Sequence, residues 1–198
     1  MAFQSFNVKF TGFTPLLLNN PQTVDSFNKY SIAKKKYTSK RSKTEEDVLA
    51  LRELEIESKL YFDDELKVYV PTAWVIAMIA KNAWAIAKVK KETIRGGVFV
   101  QKEKAKLSYD SDNLVKKFSD ISGNEKFTRT LILPQQQVRL AKSFPIFHNW
   151  SFSVELEFDN KIVDESSLKQ ILEHRALYGG FGDFRPTYGR CKVEFSNE

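Results

Sequence analysis

The stretch WSFSVELEF, residues 150–158, alternates large apolar side chains with polar ones without a break. Successive side chains of a β-strand point to opposite faces, so this pattern predicts a strand with one face in the core and the other toward solvent. The predicted core residues are Trp150, Phe152, Val154, Leu156 and Phe158. The remaining elements are arranged around this strand.

The same alternation occurs near both ends of the chain. SFNVKFT (residues 5–11) predicts a first strand, and Cys191, Val193 and Phe195 alternate with polar residues in a closing strand. Two apolar helices are expected, Ala73–Lys88 as a buried central helix and a second helix that Asp164 caps and that reaches residue 178. Further strands are expected at Val98–Val100, Arg129–Leu133 and Val138–Phe144, and a hairpin at Leu60–Val70.

In chain order, the strongest elements read strand, helix, strand, strand, helix, strand. This order predicts an α+β protein with a modified ferredoxin-like (RRM-like) βαββαβ fold, an antiparallel sheet and long insertions. The chain is interpreted as a single domain over residues 1–198. It carries a basic loop insertion at 19–43 and a polar insertion at 101–128. Domains of this kind that bind RNA use the open face of the sheet.

The composition excludes several classes of protein. The chain has 198 residues, 42% of them hydrophobic, which predicts a globular protein with a real core. Its one cysteine, Cys191, excludes an internal disulfide, and with two histidines we expect no metal site and no cofactor. Neither a secretory signal nor a membrane-spanning stretch is evident, so the expected location is the cytoplasm, or the host cytoplasm if the protein is viral.

The net charge of +6 is concentrated in one segment. Residues 29–43 (KYSIAKKKYTSKRSK) carry +7, which leaves −1 for the rest of the chain. Such a segment is a solvated loop, a contact for nucleic acid, or a contact for an acidic protein or membrane surface. Tyrosines and hydroxyl residues between the lysines favour nucleic acid, held by its phosphates with little sequence specificity. The predicted phosphate contacts are Lys29, Lys34, Lys35, Lys36, Lys40, Arg41 and Lys43.

A glycine-rich segment, GGFGDFRPTYGR at 179–190, joins the second helix to the closing strand. As an ordinary turn, Gly179 would cap the helix and Gly189 would permit a tight entry to the strand. As a binding loop, its glycines would direct N–H groups at phosphates, its arginines would add charge, and its aromatic rings would stack on bases. The residues predicted to bind are Gly180, Phe181, Gly182, Phe184, Arg185, Tyr188, Gly189 and Arg190.

A ferredoxin-like plan with a glycine-rich loop before its last strand resembles the RAMP superfamily, the RNA-binding subunits of CRISPR systems. FNVKFTGFTPLLL is similar to the first strand of the backbone branch, which coats the CRISPR RNA. YVPTAWVIAMIAKNA resembles the strand-to-helix entry of that branch, although the serines, the glycine and the terminal arginine of its motif are missing. The pattern also resembles small phage and prophage proteins. The resemblance implies RNA binding, a thumb-like insertion after the first strand, self-association along the strand and a larger ribonucleoprotein complex.

These observations favour a non-enzymatic protein that binds single-stranded RNA or DNA. One alternative is a metal-free endoribonuclease using His148, because RNA-processing RAMP proteins often use a histidine; His174 lies on a different element. Some backbone subunits of the resembled superfamily cut target RNA with an aspartate in the loop after the first strand, and Asp25 falls in that region, but the absence of catalysis is favoured. Asp63, Asp64 and Glu65 resemble a metal cluster but fit a hairpin turn better. A second alternative is a viral interaction module that inhibits a host nucleic-acid-based defence complex. No membrane partner is expected.

Overall fold

The computed structural model describes residues 3–110, 115–121, 124–135 and 138–196, with the backbone alone described at residues 135 and 138. Within these ranges the chain forms ten β-strands: β1 Phe3–Gly12, β2 Leu16–Leu17, β3 Phe62–Asp63, β4 Lys67–Pro71, β5 Val98–Val100, β6 Lys104–Lys106, β7 Thr128–Gln135, β8 Val138–Phe147, β9 Ser151–Asp159 and β10 Cys191–Ser196. The described part also contains six α-helices: α1 Lys29–Thr38, α2 Glu45–Lys59, α3 Ala73–Ala80, α4 Ala83–Ala87, α5 Lys91–Gly97 and α6 Glu165–Tyr178.

The protein is a mixed α+β structure with antiparallel sheets, as the sequence predicts. The principal sheet has four strands in the order β10–β1–β9–β5, and all of its neighbouring strands are antiparallel. Strand β1 lies between β9 and β10, so Phe6 faces Leu156 and Phe10 faces Phe152. Two smaller sheets have the orders β2–β8–β7 and β3–β4–β6.

One face of the principal sheet and helices α3 and α6 enclose the core. All five predicted core residues of the 150–158 segment are buried, and so are Phe6 and Phe10 opposite them. Leu168, Ile171 and Leu172 of α6 belong to the same buried cluster. Asp164 caps this helix by accepting a hydrogen bond from the N–H of Ser167, which confirms the predicted start.

The predicted helix Ala73–Lys88 is two helices rather than one. Helix α3 ends at Ala80, Lys81 leaves the helical conformation, and Asn82 has a left-handed backbone (φ 63°) before α4 begins. Asparagine adopts this conformation more readily than most residues, so the break is encoded by a residue that periodicity does not detect. The break also turns the Trp84 ring outward, 56% exposed, although the sequence predicts a buried helix.

The predicted basic loop, residues 19–43, is largely ordered structure. A 3₁₀ turn covers Pro21–Val24, and helix α1 covers Lys29–Thr38, where the Asn28 side chain caps its first turn. Helix α1 has no apolar stripe, which is why the hydrophobic pattern does not reveal it. It packs instead against α2, which begins at the capping box of Thr44 and Asp47.

The remaining predicted elements are present in the structure, some with different bounds. The hairpin at Leu60–Val70 is confirmed, because β3 pairs with β4 and the Asp63 carboxylate accepts the N–H groups of Glu65 and Leu66. The two strands expected at Arg129–Leu133 and Val138–Phe144 are present and longer, because β7 continues through Pro134 to Gln135 and pairs with β8 over its length. The polar insertion 101–128 contains β6 and two 3₁₀ turns, and its residues 111–114 and 122–123 lie outside the described residues.

Candidate nucleic-acid interface

Packing explains most of the glycine-rich segment. Gly180, Gly182 and Gly189 have positive φ angles of 74°, 73° and 77°, a backbone conformation that favours glycine. A Cβ on Gly180 would lie 2.3 Å from the carbonyl oxygen of Gly189, and one on Gly182 would lie 2.4 Å from that of Leu17. These glycines therefore let the loop fold tightly on itself and on β2.

The loop's backbone is also largely occupied by internal hydrogen bonds. The N–H of Gly180 donates to Arg175, that of Phe181 to Gly189, and that of Asp183 to Leu17. The N–H of Gly189 donates to Pro15. The prediction that Gly180 and Gly189 direct N–H groups at phosphate is corrected, because both groups already have carbonyl partners. The ordinary-turn interpretation, which covered Gly179 and Gly189, fits the structure at both positions, because Gly179 caps α6 and Gly189 lies in a tight turn before β10. Gly180, which that interpretation did not explain, also serves the turn.

The aromatic residues of the loop face inward. Phe181 is 1% exposed and packs edge-on against Phe10 and Phe152, so its predicted role in base stacking is wrong for this structure. Phe184 and Tyr188 are half-buried beneath the β7–β8 hairpin, where Phe184 contacts Phe144. The aromatic rings of the loop that were expected to stack on bases therefore pack mainly against other side chains of the protein.

The two arginines of the loop have different environments. Arg190 is half-buried, its guanidinium lies 4.9 Å from the ring centre of Phe13, and its buried Nε has no hydrogen-bond partner. Arg185 is exposed and lines two neighbouring clefts, together with Asp183. The Asp183 carboxylate accepts hydrogen bonds from the side-chain amide of Asn19 and from the N–H of Phe184.

Three clefts adjoin one another on this side of the molecule. The inner cleft is lined by Asn19, Pro21, Tyr61, Trp74, Ala77, Phe181, Gly182, Asp183 and Arg185. The arginine cleft is lined by Lys81, Asn82, Arg175, Tyr178, Gly179, Asp183, Phe184, Arg185 and Pro186. The tryptophan cleft is lined by Ala77, Ala80, Lys81, Asn82, Ala83, Trp84, Lys91 and Arg95. We call these three clefts together the basic groove.

The basic groove is strongly cationic. Its lining includes five cationic side chains, and among the described residues Asp183 is the single carboxylate that lines it. The cations are Lys81, Lys91, Arg95, Arg175 and Arg185. Two exposed rings stand beside them, Trp84 at 56% and Tyr178 at 60% exposure, and burial raises the pKa of Tyr61 to about 12, so its hydroxyl remains a donor.

The basic groove combines four predicted residues with seven that the sequence interpretation missed. The predicted residues are Phe181, Gly182, Phe184 and Arg185, of which Arg185 is the exposed cation. The residues not predicted are Lys81, Asn82, Trp84, Lys91, Arg95, Arg175 and Tyr178. Most of these lie on α3–α5 and on the last turn of α6, and they come together through the packing of α5 on α3 and of α3 and α4 on α6. The sequence signal that exists is the pair Lys81-Asn82, a polar interruption in an apolar helix.

The lysines of residues 29–43 divide into two groups. Lys34 donates to the Ser58 hydroxyl at 2.8 Å, and burial lowers its pKa. Lys40 pairs with Asp47 at 2.6 Å, and this hydrogen bond lowers the pKa of the Asp47 carboxyl. These two cations therefore hold α1 to α2. The other cations of the segment are exposed and form no ion pair with a described carboxylate; they are Lys29, Lys35, Lys36, Arg41 and Lys43.

Helix α2 offsets part of the basic charge. Its sequence includes Glu45, Glu46, Glu53, Glu55 and Glu57 besides Asp47, so residues 29–59 carry +3 although residues 29–43 carry +7. Burial is the largest effect on the pKa of the Glu57 carboxyl and raises it, while the positive charge of Lys29 acts in the opposite direction. The α1–α2 pair is a moderately basic hairpin rather than an isolated cationic loop.

The open face of the principal sheet does not resemble a base-stacking surface. Its central positions are Ser5, Asn7, Lys9 and Thr11 of β1 and Ser151, Ser153, Glu155 and Glu157 of β9. Aromatic rings occur only at its margin among the described residues, where the exposed Phe3 and Phe99 contact each other. Glu155 and Glu157 would repel a phosphate backbone.

The catalytic candidates are dispersed. His148 is exposed in the turn between β8 and β9, and His174 is exposed on α6, where its ring contacts Tyr178. Asp63 pairs with Lys104 and accepts turn N–H groups, which fits the turn interpretation. The described residues contain no group of three or more His, Cys, Asp or Glu side chains placed to hold a metal ion, and no described helix has the length and apolar character to span a membrane.

No protein-family model matches the chain, and no curated protein matches it.

Proposed function

We propose that this protein binds single-stranded nucleic acid without catalysing a reaction. The observation that carries the proposal is the basic groove, in which five cations and two exposed rings line adjoining clefts beside the glycine-rich loop. Single strands are bound by cationic tracks that follow the backbone and by aromatic rings that stack on unpaired bases. The groove offers both kinds of contact on one side of the molecule.

The expected path of the strand follows from the chemistry of the lining. Lys81, Lys91 and Arg95 would hold phosphates along α3–α5, and Arg185 would hold them at the loop. Trp84 and Tyr178 would stack on bases, with a contribution of about 1–3 kcal/mol per base. The exposed cations of the α1–α2 hairpin would contact a further stretch of backbone. Contacts of these kinds serve RNA and DNA equally.

We also propose a specific fold and a superfamily for this chain. The strand order β10–β1–β9–β5, with α3 and α6 on one face, supports a modified ferredoxin-like fold in which β1, β5, β9 and β10 are the four strands of βαββαβ. Together with the glycine-rich loop before β10, this order supports membership of the RAMP superfamily. A cytoplasmic protein that self-associates along a strand is the corresponding expectation.

Binding is tested by fluorescence anisotropy with labelled single-stranded RNA, single-stranded DNA and duplex DNA over a series of salt concentrations. We expect tight binding to the single strands, weakening with salt. A variant with Trp84→Ala, Lys91→Ala and Arg95→Ala should weaken binding by tenfold or more, since about 1.4 kcal/mol corresponds to tenfold.

The matched control for this experiment removes charge elsewhere. Lys9→Ala with Lys192→Ala takes two exposed ammonium groups from the open face of the principal sheet and should change affinity little. Equal losses in the two variants would show nonspecific attraction by net charge. Absence of binding to all three nucleic acids at low salt would contradict the proposal.

A second candidate function, protein recognition, has one observation in its favour. Val24 and Phe27 precede α1 and are each 87% exposed, and Ile32 on α1 is 50% exposed. Apolar side chains this exposed beside lysines suit an acidic protein partner. A pull-down that survives nuclease treatment and is lost in Phe27→Ser would favour this function over nucleic-acid binding.

A further inference from the structure

Arg175 is the most unusual side chain of the basic groove. It lies in the last turn of α6, is 8% exposed, and donates through Nε to the carbonyl oxygen of Met78 at 3.2 Å. A Cβ on Gly179 would lie 2.4 Å from its Nη2, so the absence of a side chain at Gly179 makes room for the guanidinium. Helix α3 and the loop thus hold this arginine in one position, at the wall of the arginine cleft.

The guanidinium of Arg175 has no anionic partner in the described part of the chain. Burial lowers its pKa, and the positive charge of Arg185, which lines the same cleft, lowers it further. Neither arginine forms an ion pair with any described carboxylate. A buried cation beside a second cation is unfavourable unless an anion joins them.

The charge of the arginine cleft indicates which anion would fit. Arg175, Arg185 and Lys81 contribute three positive charges to its lining and Asp183 contributes one negative charge. The excess of two matches a phosphate monoester, which is close to dianionic at pH 7, better than an internal phosphodiester, which carries a single negative charge. The guanidinium groups of Arg175 and Arg185 and the side-chain amide of Asn82 are hydrogen-bond donors in this lining, and the oxygens of a terminal phosphate accept such bonds.

The shape of the cleft supports the same choice. Its volume is about 390 Å³, and the Arg175 guanidinium lies at its buried wall rather than at its rim. A phosphate at the end of a strand projects and enters such a cleft, whereas an internal phosphate carries nucleotides on both sides that hold it away from the wall.

We propose that the arginine cleft binds a terminal phosphate monoester of a nucleic-acid strand, between Arg175 and Arg185. This inference rests on the proposed function, because the strand that bears the phosphate lies in the rest of the basic groove. The strand end would set the position from which the remaining nucleotides pass Trp84 and Arg95.

The test compares one labelled oligoribonucleotide in three forms, with a 5′-phosphate, with a 3′-phosphate and with neither. We expect one phosphorylated form to bind about tenfold more tightly than the unphosphorylated form, as an additional charge-assisted pair of hydrogen bonds provides. Arg175→Lys should remove this preference, since lysine cannot make the paired contact. Arg185→Ala and Lys81→Ala change exposed residues and should reduce the preference even if the Arg175 variant does not fold.

Each outcome has a distinct meaning. Equal affinity for the three forms, with the groove variants still weakening binding, would overturn the strand-end assignment and leave the proposed function standing. Failure of all three forms to bind, while inorganic phosphate raises the melting temperature of the wild type but not of Arg185→Ala, would overturn both and leave a small-anion site. A preference that persists in Arg185→Ala and Lys81→Ala would place the end-recognition site elsewhere and overturn the assignment.

Discussion

The ammonium of Lys59 donates a 2.6 Å hydrogen bond to the carbonyl oxygen of Ser143. One turn earlier on α2, Glu55 accepts the N–H of the same serine at 3.1 Å. Strand β2 pairs with β8 only at Phe147 and Ile146, so the two side chains of α2 satisfy the edge of β8 where that pairing has ended. Lys59 and Glu55 of α2 thus supply the backbone hydrogen bonds that a neighbouring strand would otherwise make to Ser143.

This contact predicts a pH dependence of stability. Burial lowers the pKa of Lys59 from 10.5 to about 8, and the positive charges of Lys34 and Lys142 add to this effect against Glu55. Above pH 8 the folded protein loses a proton that the unfolded chain retains until about pH 10.5. The free energy of unfolding should therefore rise with pH in this window, by about 2 kcal/mol between pH 7 and 9.5 from this group.

Denaturant unfolding at several pH values checks this expectation. Lys59→Met keeps the length of the side chain and removes the titrating group. The free energy of unfolding of this variant should therefore rise by about 2 kcal/mol less than that of the wild type between pH 7 and 9.5. Lys161→Met removes an exposed ammonium and is the control. Parallel curves for wild type and Lys59→Met would contradict the lowered pKa.

Gly182 and Gly96 should respond in opposite ways to the same substitution. Gly182→Ala places a Cβ 2.4 Å from the Leu17 carbonyl oxygen at a positive φ, so we expect a loss on the order of 1–3 kcal/mol. Gly96 lies in α5 with no atom within 4 Å of a built Cβ, and Gly96→Ala should stabilise by about 0.5–1 kcal/mol. Thermal and denaturant unfolding measure both. If the two variants are equally stable, the tight contact of the loop with β2 is absent in solution.

The exposed cations of the α1–α2 hairpin should contribute to the salt dependence of binding. Replacing Lys29, Lys35, Lys36, Arg41 and Lys43 by alanine should flatten the slope of log affinity against log salt by about 0.7 for each phosphate that is no longer neutralised. Melting temperature should change little, because these side chains are exposed. Lys34→Ala is the contrasting variant, which should lower stability because it removes the hydrogen bond to Ser58. An unchanged slope in the five-residue variant would exclude the hairpin from the interface.

The thiol of Cys191 should be inert in the folded protein. Cys191 is fully buried at the start of β10, and burial raises its pKa to about 12. The thiolate is the reactive form, so a chromogenic disulfide reagent at pH 8 should label the protein only after denaturant is added. Rapid labelling of the native protein would show that β10 detaches readily from β1.

The parts of the fold that a local pattern determines were predictable from the sequence. Phe152 and Leu156 alternate with polar residues along one strand, and Asp164 is a capping residue directly before an apolar stripe, so neither inference needed distant residues. Helix α1 was missed because its stability comes from contacts such as that of Lys34 with Ser58 and not from an apolar face.

The candidate site was only partly predictable, for a related reason. Charge density drew attention to residues 29–43, but charge density does not show that Lys40 is already paired with Asp47. Glycine content drew attention to the loop, but not to the carbonyl groups that its glycines approach. Arg175 could not be singled out, since its significance depends on lying beside Arg185 and beneath α3.

The glutamates of the open sheet face have a consequence for how a polyanion meets this protein. Glu155 and Glu157 stand on the same face as Lys9 and Lys192, so the charge of that face is mixed, whereas five cations and one carboxylate line the basic groove. For the nucleic-acid strand proposed above, the groove would exert a stronger attraction than the open sheet face before any contact forms. The proposed path of the strand would therefore follow one side of the protein.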